Sequence, residues 1–536
     1  MPRWINVILI VLLILFIFSF SLTPLRSTND AWWHLKSGKI ILERKSLPEN
    51  DVFAYTSEDI AWHNHEWLAQ VVFYMVYSVG GGEVQDGIRM VILFKAFILL
   101  GAYLLIFYLA WRETKSIPVA VLAAFWAVTL SRRTIYPRPP LVTYLFFAFT
   151  LYLLIEKESG RISGKWLWIL VPLMIFWANL HGGFLLGLIA IGAWFGSEVI
   201  KVVIKKKTFQ ESEILFFGGL LASCVAASLV NPYTYHLYLL PGRVMSDVGL
   251  VRAIPELRSP DFFYTRGFEY LILFLAAAPL LVKKKAITLP EGLLLIFFMH
   301  QGLQHVRHVP LVGIVAAVPV ARVLKIMKEE YLPVKFKPVF SSGVSLLFVL
   351  IMFYTLVSHK EGESFLERNL NYIKGAGYYE NRYPVQEADF ILANNFTGRM
   401  FNPINQAGYL IWRLSPEHHK VFTDSRYDIF GGRFMRLEHI VRAGLNRDLS
   451  EESTTWDDVL ERWNVNFLLI EGTDQVQPLL EESDDWELVY HRLEPYSRSY
   501  RNGFMIYVKN IPGNSDLIRR ARYSASRAGF LPENYL

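Results

Sequence analysis

The feature that most constrains this chain is a series of long apolar runs in its first two-thirds. A hydrocarbon core about 30 Å thick needs roughly 20 apolar residues for each helix that crosses it. By this measure we predict eleven spans, near Trp4–Leu22, Asp86–Ala110, Ile117–Leu130, Leu141–Ile155, Trp166–Leu180, Phe184–Val199, Ile214–Val230, Phe268–Val282, Ile287–Leu303, Val309–Leu324 and Val339–Val357. Charged residues are only 19% of the chain, where soluble proteins have about a quarter. The pattern excludes a soluble, a disordered and a collagen-like protein.

Two apolar segments, the first predicted span and Trp67–Val79, need a separate interpretation. The first span follows Arg3 like a signal peptide, but no small-residue cleavage site follows Phe20, so a retained anchor is expected. Trp67–Val79 is too short to span a bilayer and ends in three glycines, which predicts an interfacial or re-entrant helix.

The distribution of charge predicts the orientation. The chain has 54 basic and 48 acidic residues, but residues 360–536 carry 21 basic and 26 acidic ones, so the front of the chain is basic. With the N-terminus inside, 18 of the 33 basic residues in that front part lie in the shorter, inner loops, as the positive-inside rule requires. An odd number of spans then places residues 360–536 outside an inner (plasma) membrane. Because the basic residues alternate with apolar spans, we expect no nucleic acid as a partner. The single cysteine, Cys224, excludes an intrachain disulfide.

We therefore predict an α-helical polytopic membrane protein with a C-terminal extracytoplasmic α/β domain. Residues 1–358 form the membrane domain, whose first outer loop spans residues 23–85, and residues 359–536 form the second domain. In that domain we predict strands at Arg399–Asn402, Lys420–Thr423, Asn466–Ile470 and Gly503–Lys509, with helices between them and a loosely docked Arg-rich tail.

Chemically reactive side chains collect on the predicted outer face. The first outer loop contains Asp30, His34, Asp51, His63, His65 and Glu66; later outer segments contain Arg132, Arg133, Arg138, Asn179, His181, Arg243, Arg307 and their neighbours. Arginines outside run against the positive-inside rule, and charged groups near a bilayer usually mark a site or pathway. A polar cavity at the outer leaflet follows, although lipid head groups are an alternative partner for the arginines.

Three of these residues are also candidate metal ligands. His63, His65 and Glu66 place two imidazoles and a carboxylate within four residues. Two histidines at i and i+2 cannot share a helical face, so a divalent metal on His63 and His65 would require an extended segment.

Several motifs resemble the GT-C class of integral-membrane glycosyltransferases, and more closely a group of uncharacterised bacterial membrane proteins of that type. They are Asp30–Gly38 (DAWWHLKSG), Pro48–Asp51 (PEND), Trp62–Leu68 (WHNHEWL), Asn179–Gly182 (NLHG), Asn405–Trp412 (NQAGYLIW) and Asp424–Asp428 (DSRYD). An acidic residue after the first span, a long first outer loop and an outer C-terminal domain add to the resemblance, which covers most of the chain.

The resemblance implies a sugar donor carried on a polyprenyl phosphate or diphosphate, and an extracytoplasmic glycan, lipid or protein as acceptor. Asp30 would deprotonate the acceptor hydroxyl for an inverting attack, a role that typically contributes about 10²–10⁴-fold. Asn29 stands where many relatives carry a second acid, so Asp51 and Glu66 are alternatives for the base. Arg132, Arg133, Arg138, Arg243 or Arg307 would stabilise the leaving phosphate, and His34, His65, His181 and Asn179 would bind substrate.

Two other functions share some of these features. A transporter or flippase of a lipid-linked sugar or anionic lipid would also use the arginines, but it needs polar residues at the bilayer midplane. The midplane stretches Val91–Phe94, Gly192–Phe195 and Ile272–Ala276 contain no charged residue, and Lys95 is the main charge near them. A non-catalytic envelope scaffold would act through the outer domain alone.

Overall fold

The fold is taken from a computed structural model. It describes residues 3–25, 30–131, 134–205, 211–261, 286–336, 342–343, 345–351, 354, 359–360, 363–364, 367, 377–378, 380–446, 454–492 and 503–531. The chain divides into two compact units. The first, here the membrane unit, contains Met1–Pro24, His65–Leu239 and Ile254–Tyr378; the second, here the α/β unit, contains Leu25–Asn64, Leu240–Ala253 and Tyr379–Leu536.

Helices dominate the described residues. In chain order the α-helices are α1 (Arg3–Ser21), α2 (Asp30–Arg44), α3 (Trp67–Ser78), α4 (Val84–Thr114), α5 (Ile117–Leu130), α6 (Pro140–Glu158), α7 (Leu170–Leu180), α8 (Phe184–Lys205), α9 (Glu211–Ser228), α10 (His236–Ser246), α11 (Val248–Ala253), α12 (Leu289–Gln304), α13 (Val309–Ile326), α14 (Val385–Ala393), α15 (Ile404–Leu414), α16 (Tyr427–Arg442), α17 (Trp456–Arg462), α18 (Gln477–Glu482) and α19 (Ser515–Arg527). The strands are β1 (His359–Lys360), β2 (Glu363–Ser364), β3 (Arg399–Phe401), β4 (Val465–Glu471), β5 (Trp486–His491) and β6 (Phe504–Lys509).

The membrane unit is built around α4, which packs against α1, α5, α6 and α13. Prolines in the first turn begin α5, α6 and α13, where the missing N–H costs no helical hydrogen bond. Helix α4 ends where Lys115 adopts a left-handed conformation with φ of 53°. Among the described residues, five helical segments are long and apolar enough to cross a membrane: Arg3–Ser21, Val84–Thr114, Pro140–Glu158, Phe184–Ile204 and Val306–Tyr331.

Nine of the predicted spans overlap helices of the described residues, and five of these nine fall on the segments just named. The span Ile117–Leu130 has the same bounds as α5, and the short interfacial segment at Trp67 is α3. The span near Phe268–Val282 lies outside the described residues, and Val339–Val357 is described only in part. The total of eleven therefore stays a prediction, as does the orientation of the termini.

The described part of the α/β unit contains a four-stranded sheet in the order β3-β4-β6-β5. Strand β3 runs parallel to β4, and the β4–β6 and β6–β5 pairs are antiparallel. Two expectations were wrong here. The segment Lys420–Thr423 is not a strand but forms a single bridge from Val421 to Ala54. The Arg-rich tail contains α19, which packs on β5 because one face of this helix buries Leu517, Ile518, Ala521 and Ala525.

Residues 25–64, part of the predicted first outer loop, belong to the α/β unit. Helix α2 packs against α15, and Trp32 is fully buried with its ring edge-on to Tyr383 and Tyr409 at centroid distances of 5.5 and 5.0 Å. Lys36 Nζ donates to Glu417 Oε2 at 2.8 Å. Residues 25–64, predicted to belong with the membrane domain, therefore pack with residues 379–536 because the apolar face of α2 is buried there.

Candidate functional site

A group of charged and polar side chains, here the Asp30–Arg426 cluster, lies in the α/β unit and comprises Asp30, Asp51, Asp424, Ser425 and Arg426. The guanidinium of Arg426 stands between two carboxylates, with Nη1 2.7 Å from Asp51 Oδ1 and Nη2 2.6 Å from Asp424 Oδ2. The Arg426 Nε group also donates to Asp424 Oδ1 at 2.9 Å. The cluster joins three of the sequence motifs that are far apart along the chain.

Arg426 is enclosed by aromatic rings as well as by carboxylates. Its guanidinium carbon lies 4.8 Å from the ring centroid of Trp62, 5.0 Å from that of Phe53 and 5.8 Å from that of Phe430. The Arg426, Asp51 and Asp424 side chains are all fully buried. Burial raises the pKa of the Asp424 carboxyl, and the two neighbouring carboxylates hold the pKa of Arg426 above its usual range.

Asp51 has a structural role in this cluster. Its carboxylate accepts hydrogen bonds from the Phe53 N–H at 3.0 Å and from the Ser57 hydroxyl at 2.6 Å, in addition to the Arg426 contact. A carboxylate that is buried and paired in this way has no surface for an acceptor hydroxyl. The structure therefore gives no support to Asp51 as the alternative base.

Among the three carboxylates of the cluster, Asp30 is half-buried, whereas Asp51 and Asp424 are buried in ion pairs with Arg426. It is the first residue of α2, and its Oδ1 accepts a hydrogen bond of 2.6 Å from the hydroxyl of Ser425. A helix N-terminus favours negative charge, and a hydrogen bond from Ser425 stabilises the same charge. Asp30 is thus an oriented carboxylate that is not sealed in the core.

Three further predicted site residues, His34, His63 and Arg243, belong to the α/β unit. His34 is buried in α2, with 2% of its surface exposed. His63 is half-buried in the segment before α3, and Arg243 is exposed on α10. The structure gives no geometry that assigns a ligand to any of the three.

A second group, here the Glu66–His181 cluster, lies in the membrane unit where α3 begins and α7 ends. It comprises His65, Glu66, Thr143 and His181. Glu66 Oε1 lies 3.6 Å from His181 Nε2 and 3.9 Å from His65 Nε2. The side chains of these three residues are 13 to 20% exposed, so the cluster is enclosed but not sealed.

Asn179 has a structural role next to this cluster. Its side-chain oxygen accepts from Trp67 Nε1 at 2.9 Å, and its nitrogen donates to the carbonyls of Ile175 and Val230 at 2.8 Å. These bonds join α3 to α7 and to the segment after α9. Beside them is a cavity of about 480 Å³ whose walls are mainly apolar, including Trp67, Leu68 and Phe176. Asn179 forms part of this wall, but its polar atoms are already hydrogen-bonded.

The predicted phosphate-binding arginines have different surroundings. Arg138 is half-buried, and its Nη2 donates to both carboxylate oxygens of Glu256 at 2.8 and 3.0 Å. Arg307 is exposed in the short helical turn before α13 and lies within electrostatic range of Glu256, Arg138 and Glu66. Arg132 and Arg133 lie outside the described residues.

The divalent metal predicted on His63 and His65 stays a prediction. Within the described ranges, no group of three or more His, Cys, Asp or Glu side chains is arranged to hold a metal ion. The His181 Nδ1 atom already accepts from the Gly183 N–H at 3.0 Å, which places the proton of a neutral ring on Nε2, where a metal would need a lone pair.

Sequence reasoning missed three side chains that form hydrogen bonds with the predicted site residues. Ser425 lies inside the DSRYD motif, but the sequence pattern marks the motif as a whole and does not single out this serine. Thr143 and Glu256 carry no signal of their own, because an isolated threonine in an apolar run and a single glutamate in a loop are common. Their roles follow only from the partners that the fold brings to them.

Comparison with known proteins identifies the fold. No protein-family model matches the sequence, and no curated sequence matches it. The oligosaccharyltransferase of Archaeoglobus fulgidus is similar in structure in several solved forms. The form tethered to an acceptor peptide with the NVT sequon has a TM-score of 0.51 and 13% identity, and the alignment covers 94% of this chain and 74% of that one. The form with an inhibitory peptide and a dolichol-phosphate, named AglB, has a TM-score of 0.54 and 11% identity, covering 97% and 77%. The form with Zn and sulfate has a TM-score of 0.52 and 11% identity, covering 96% and 76%.

The chain therefore shares its fold with the Archaeoglobus fulgidus oligosaccharyltransferase. This agrees with the helical, GT-C-like part of the fold class that the sequence motifs implied, while the number of spans and the extracytoplasmic C-terminal domain stay predictions. At these identities the likeness concerns the fold alone.

Proposed function

We propose that the protein is a membrane glycosyltransferase that moves a sugar from a polyprenyl-phosphate-linked donor to an extracytoplasmic acceptor. The observation that carries the proposal is the Asp30 carboxylate, held at the start of α2 by the Ser425 hydroxyl within a fold shared with a membrane oligosaccharyltransferase. One solved form of that neighbour contains a dolichol-phosphate, and another an acceptor peptide. A lipid-linked donor is the corresponding substrate class proposed for this chain.

Asp30 is the proposed general base. It would take the proton of the acceptor hydroxyl as that oxygen forms a bond to the anomeric carbon. The bond from this carbon to the phosphate oxygen breaks on the opposite side, and the lipid phosphate leaves with the electron pair, so the configuration inverts. The contact with Ser425 supports this role because it fixes the direction of the carboxylate.

Arg307 is the proposed partner of the leaving phosphate. Arg307 is an exposed residue, whereas the guanidinium of Arg138 is bonded to both oxygens of Glu256. A guanidinium binds phosphate through paired charge-assisted hydrogen bonds, which strengthen as charge develops on the leaving group. In this scheme Arg138 would have to release the Glu256 carboxylate before it could bind the phosphate. No step of this scheme uses a metal ion, and a divalent metal on His63 and His65 stays a separate proposal.

The test is sugar transfer by the purified full-length protein in liposomes. The probes are radiolabelled hexoses and pentoses linked to undecaprenyl phosphate or diphosphate, with envelope glycan, lipid and protein fractions as acceptors. We expect Asp30→Asn to lower turnover by about 10²–10⁴-fold. The matched control is Asp59→Asn, which removes an exposed carboxylate from the same loop and should leave turnover unchanged.

Undiminished turnover by Asp30→Asn would remove Asp30 from the role of base. If the wild type transfers no sugar but moves the labelled lipid across the bilayer, the protein is a flippase instead. If it does neither, the scaffold hypothesis is favoured.

A further inference from the structure

The hydrogen bonds around His181 determine which of its ring nitrogens carries a proton. A backbone N–H can only donate, so the contact of 3.0 Å from the Gly183 N–H requires a lone pair on His181 Nδ1. The Thr143 hydroxyl oxygen lies 2.8 Å from the same nitrogen. This oxygen accepts from Trp177 Nε1 at 3.0 Å, and the indole N–H is also a donor only, so the hydroxyl hydrogen is free to point at Nδ1.

The proton of the neutral ring is therefore on Nε2, the nitrogen that lies 3.6 Å from Glu66 Oε1. A proton on Nδ1 would occupy the lone pair that accepts from the Gly183 N–H, so both the other neutral tautomer and the imidazolium would break this bond. The arrangement sets a donor on His181 toward an acceptor on Glu66.

The structure assigns His181 a positioning role, in which Thr143 and Gly183 hold it as the neutral Nε2–H tautomer and it orients the Glu66 carboxylate to bind a hydroxyl group of the transferred sugar. This substrate class rests on the proposed function. An ionised carboxylate only accepts hydrogen bonds, so it suits a sugar hydroxyl and repels the lipid phosphate. The partial exposure of Glu66 and His181, 13 and 18% of their side chains, is consistent with access for a small polar group.

The glycine at position 183 is part of this arrangement. An added Cβ would lie 2.2 Å from Thr143 Oγ1 and 2.8 Å from His181 Nδ1, closer than packed atoms approach. Any side chain at this position would therefore push Thr143 Oγ1 and His181 Nδ1 apart. Glycine permits the backbone N–H, the hydroxyl and the imidazole to meet at one point.

The first experiment tests the tautomer without any substrate. Solid-state NMR of the full-length protein, labelled with ¹⁵N-histidine and reconstituted in liposomes, would report the protonation of each ring nitrogen. Signals missing from His181→Gln identify those of His181. We expect a protonated Nε2 and an unprotonated Nδ1 at neutral pH, retained in Thr143→Ser, whose hydroxyl remains. A protonated Nδ1 in the wild type would overturn the assignment.

The second experiment tests the action on Glu66 through transfer kinetics. His181→Gln keeps a neutral N–H donor, whereas His181→Ala removes it. We expect the KM for the undecaprenyl-linked sugar to rise roughly ten- to a hundredfold in His181→Ala and less in His181→Gln, with kcat little changed. An unchanged KM in His181→Ala would overturn the role. If the wild type transfers no sugar, the proposed function fails, while the NMR result still decides the tautomer.

Discussion

The hydroxyl of Ser425 donates a hydrogen bond of 2.6 Å to Oδ1 of Asp30, a residue 395 positions earlier in the chain. Ser425 stands between Asp424 and Arg426, whose side chains are buried and ion-paired with each other. Its position is therefore fixed by the core of the α/β unit and not by an exposed loop. Because of this, the carboxylate proposed as the base is oriented by a buried salt bridge one residue away from its hydrogen-bond donor.

Removing this donor should slow transfer without unfolding the protein. We expect Ser425→Ala to lower kcat by roughly tenfold or more, since a hydrogen bond to a charged group contributes about 1.5–3 kcal/mol. Ser425→Thr keeps the hydroxyl and should retain most of the activity. The comparison is made with the liposome transfer assay, and equal kcat for Ser425→Ala and wild type would show that Asp30 needs no such orientation.

Arg426 should matter chiefly for stability. Arg426→Met leaves Asp51 and Asp424 buried together without their cation, so we expect the free energy of unfolding to fall by about 3–5 kcal/mol. Denaturant unfolding of the full-length protein in detergent, followed by tryptophan fluorescence, measures the change. Arg433→Met is the control, because Arg433 is exposed on the same helix region. A loss no larger than that of the control would mean that the buried carboxylates take up protons at little cost.

The α/β unit should become less stable as the pH falls. His419 is 8% exposed beside the Phe467 ring, and burial lowers its pKa below the ordinary value of 6.5. The folded state therefore favours the neutral ring, and the unfolded state binds the proton first. This contribution to stability is complete above about pH 6.5 and is lost as the pH falls through the folded pKa. We expect a lower Tm at pH 5.5 than at pH 7.5, with a smaller difference in His419→Gln; equal differences would exclude His419 as a source.

The orientation predicted from the basic loops can be measured in intact cells. Cys224 is buried, so a Cys224→Ala background allows single cysteines to be placed at the exposed positions Glu83 and Lys115. These flank α4, the longest of the described apolar helices. A membrane-impermeant maleimide should label Glu83→Cys and leave Lys115→Cys unlabelled until the cells are opened. The reverse pattern would invert the predicted topology.

Much of the fold could be predicted from local sequence. The spans at Arg3–Ser21 and Ile117–Leu130, the short helix from Trp67 and the strands at Arg399 and Val465 each depend on hydrophobic periodicity over neighbouring residues. The prediction was weaker in the α/β unit. Strand β5 and helix α15 were not predicted, and α19 was expected to be a loose tail, because short amphipathic elements in a charged sequence resemble loops until their apolar face has a partner.

The candidate site was predictable as a set of residues but not as an arrangement. Asp30, Asp51, Glu66 and His181 were all selected from the sequence, and the structure separates their roles. Asp51 is buried and ion-paired with Arg426, while Asp30 is half-buried and accepts a hydrogen bond from Ser425. Burial and pairing depend on residues that are hundreds of positions away, so no local pattern contains them.

The sequence by itself determined where the long apolar runs lie and which reactive side chains are candidates for chemistry, because the length of an apolar run and the identity of a side chain are local properties. Only the tertiary structure decided that residues 25–64 pack with the C-terminal segment, that Arg426 pairs with both Asp51 and Asp424, and that the Gly183 N–H meets the Nδ1 atom of His181. Each of these depends on which donors and acceptors meet when water is excluded, and that is a property of the folded chain.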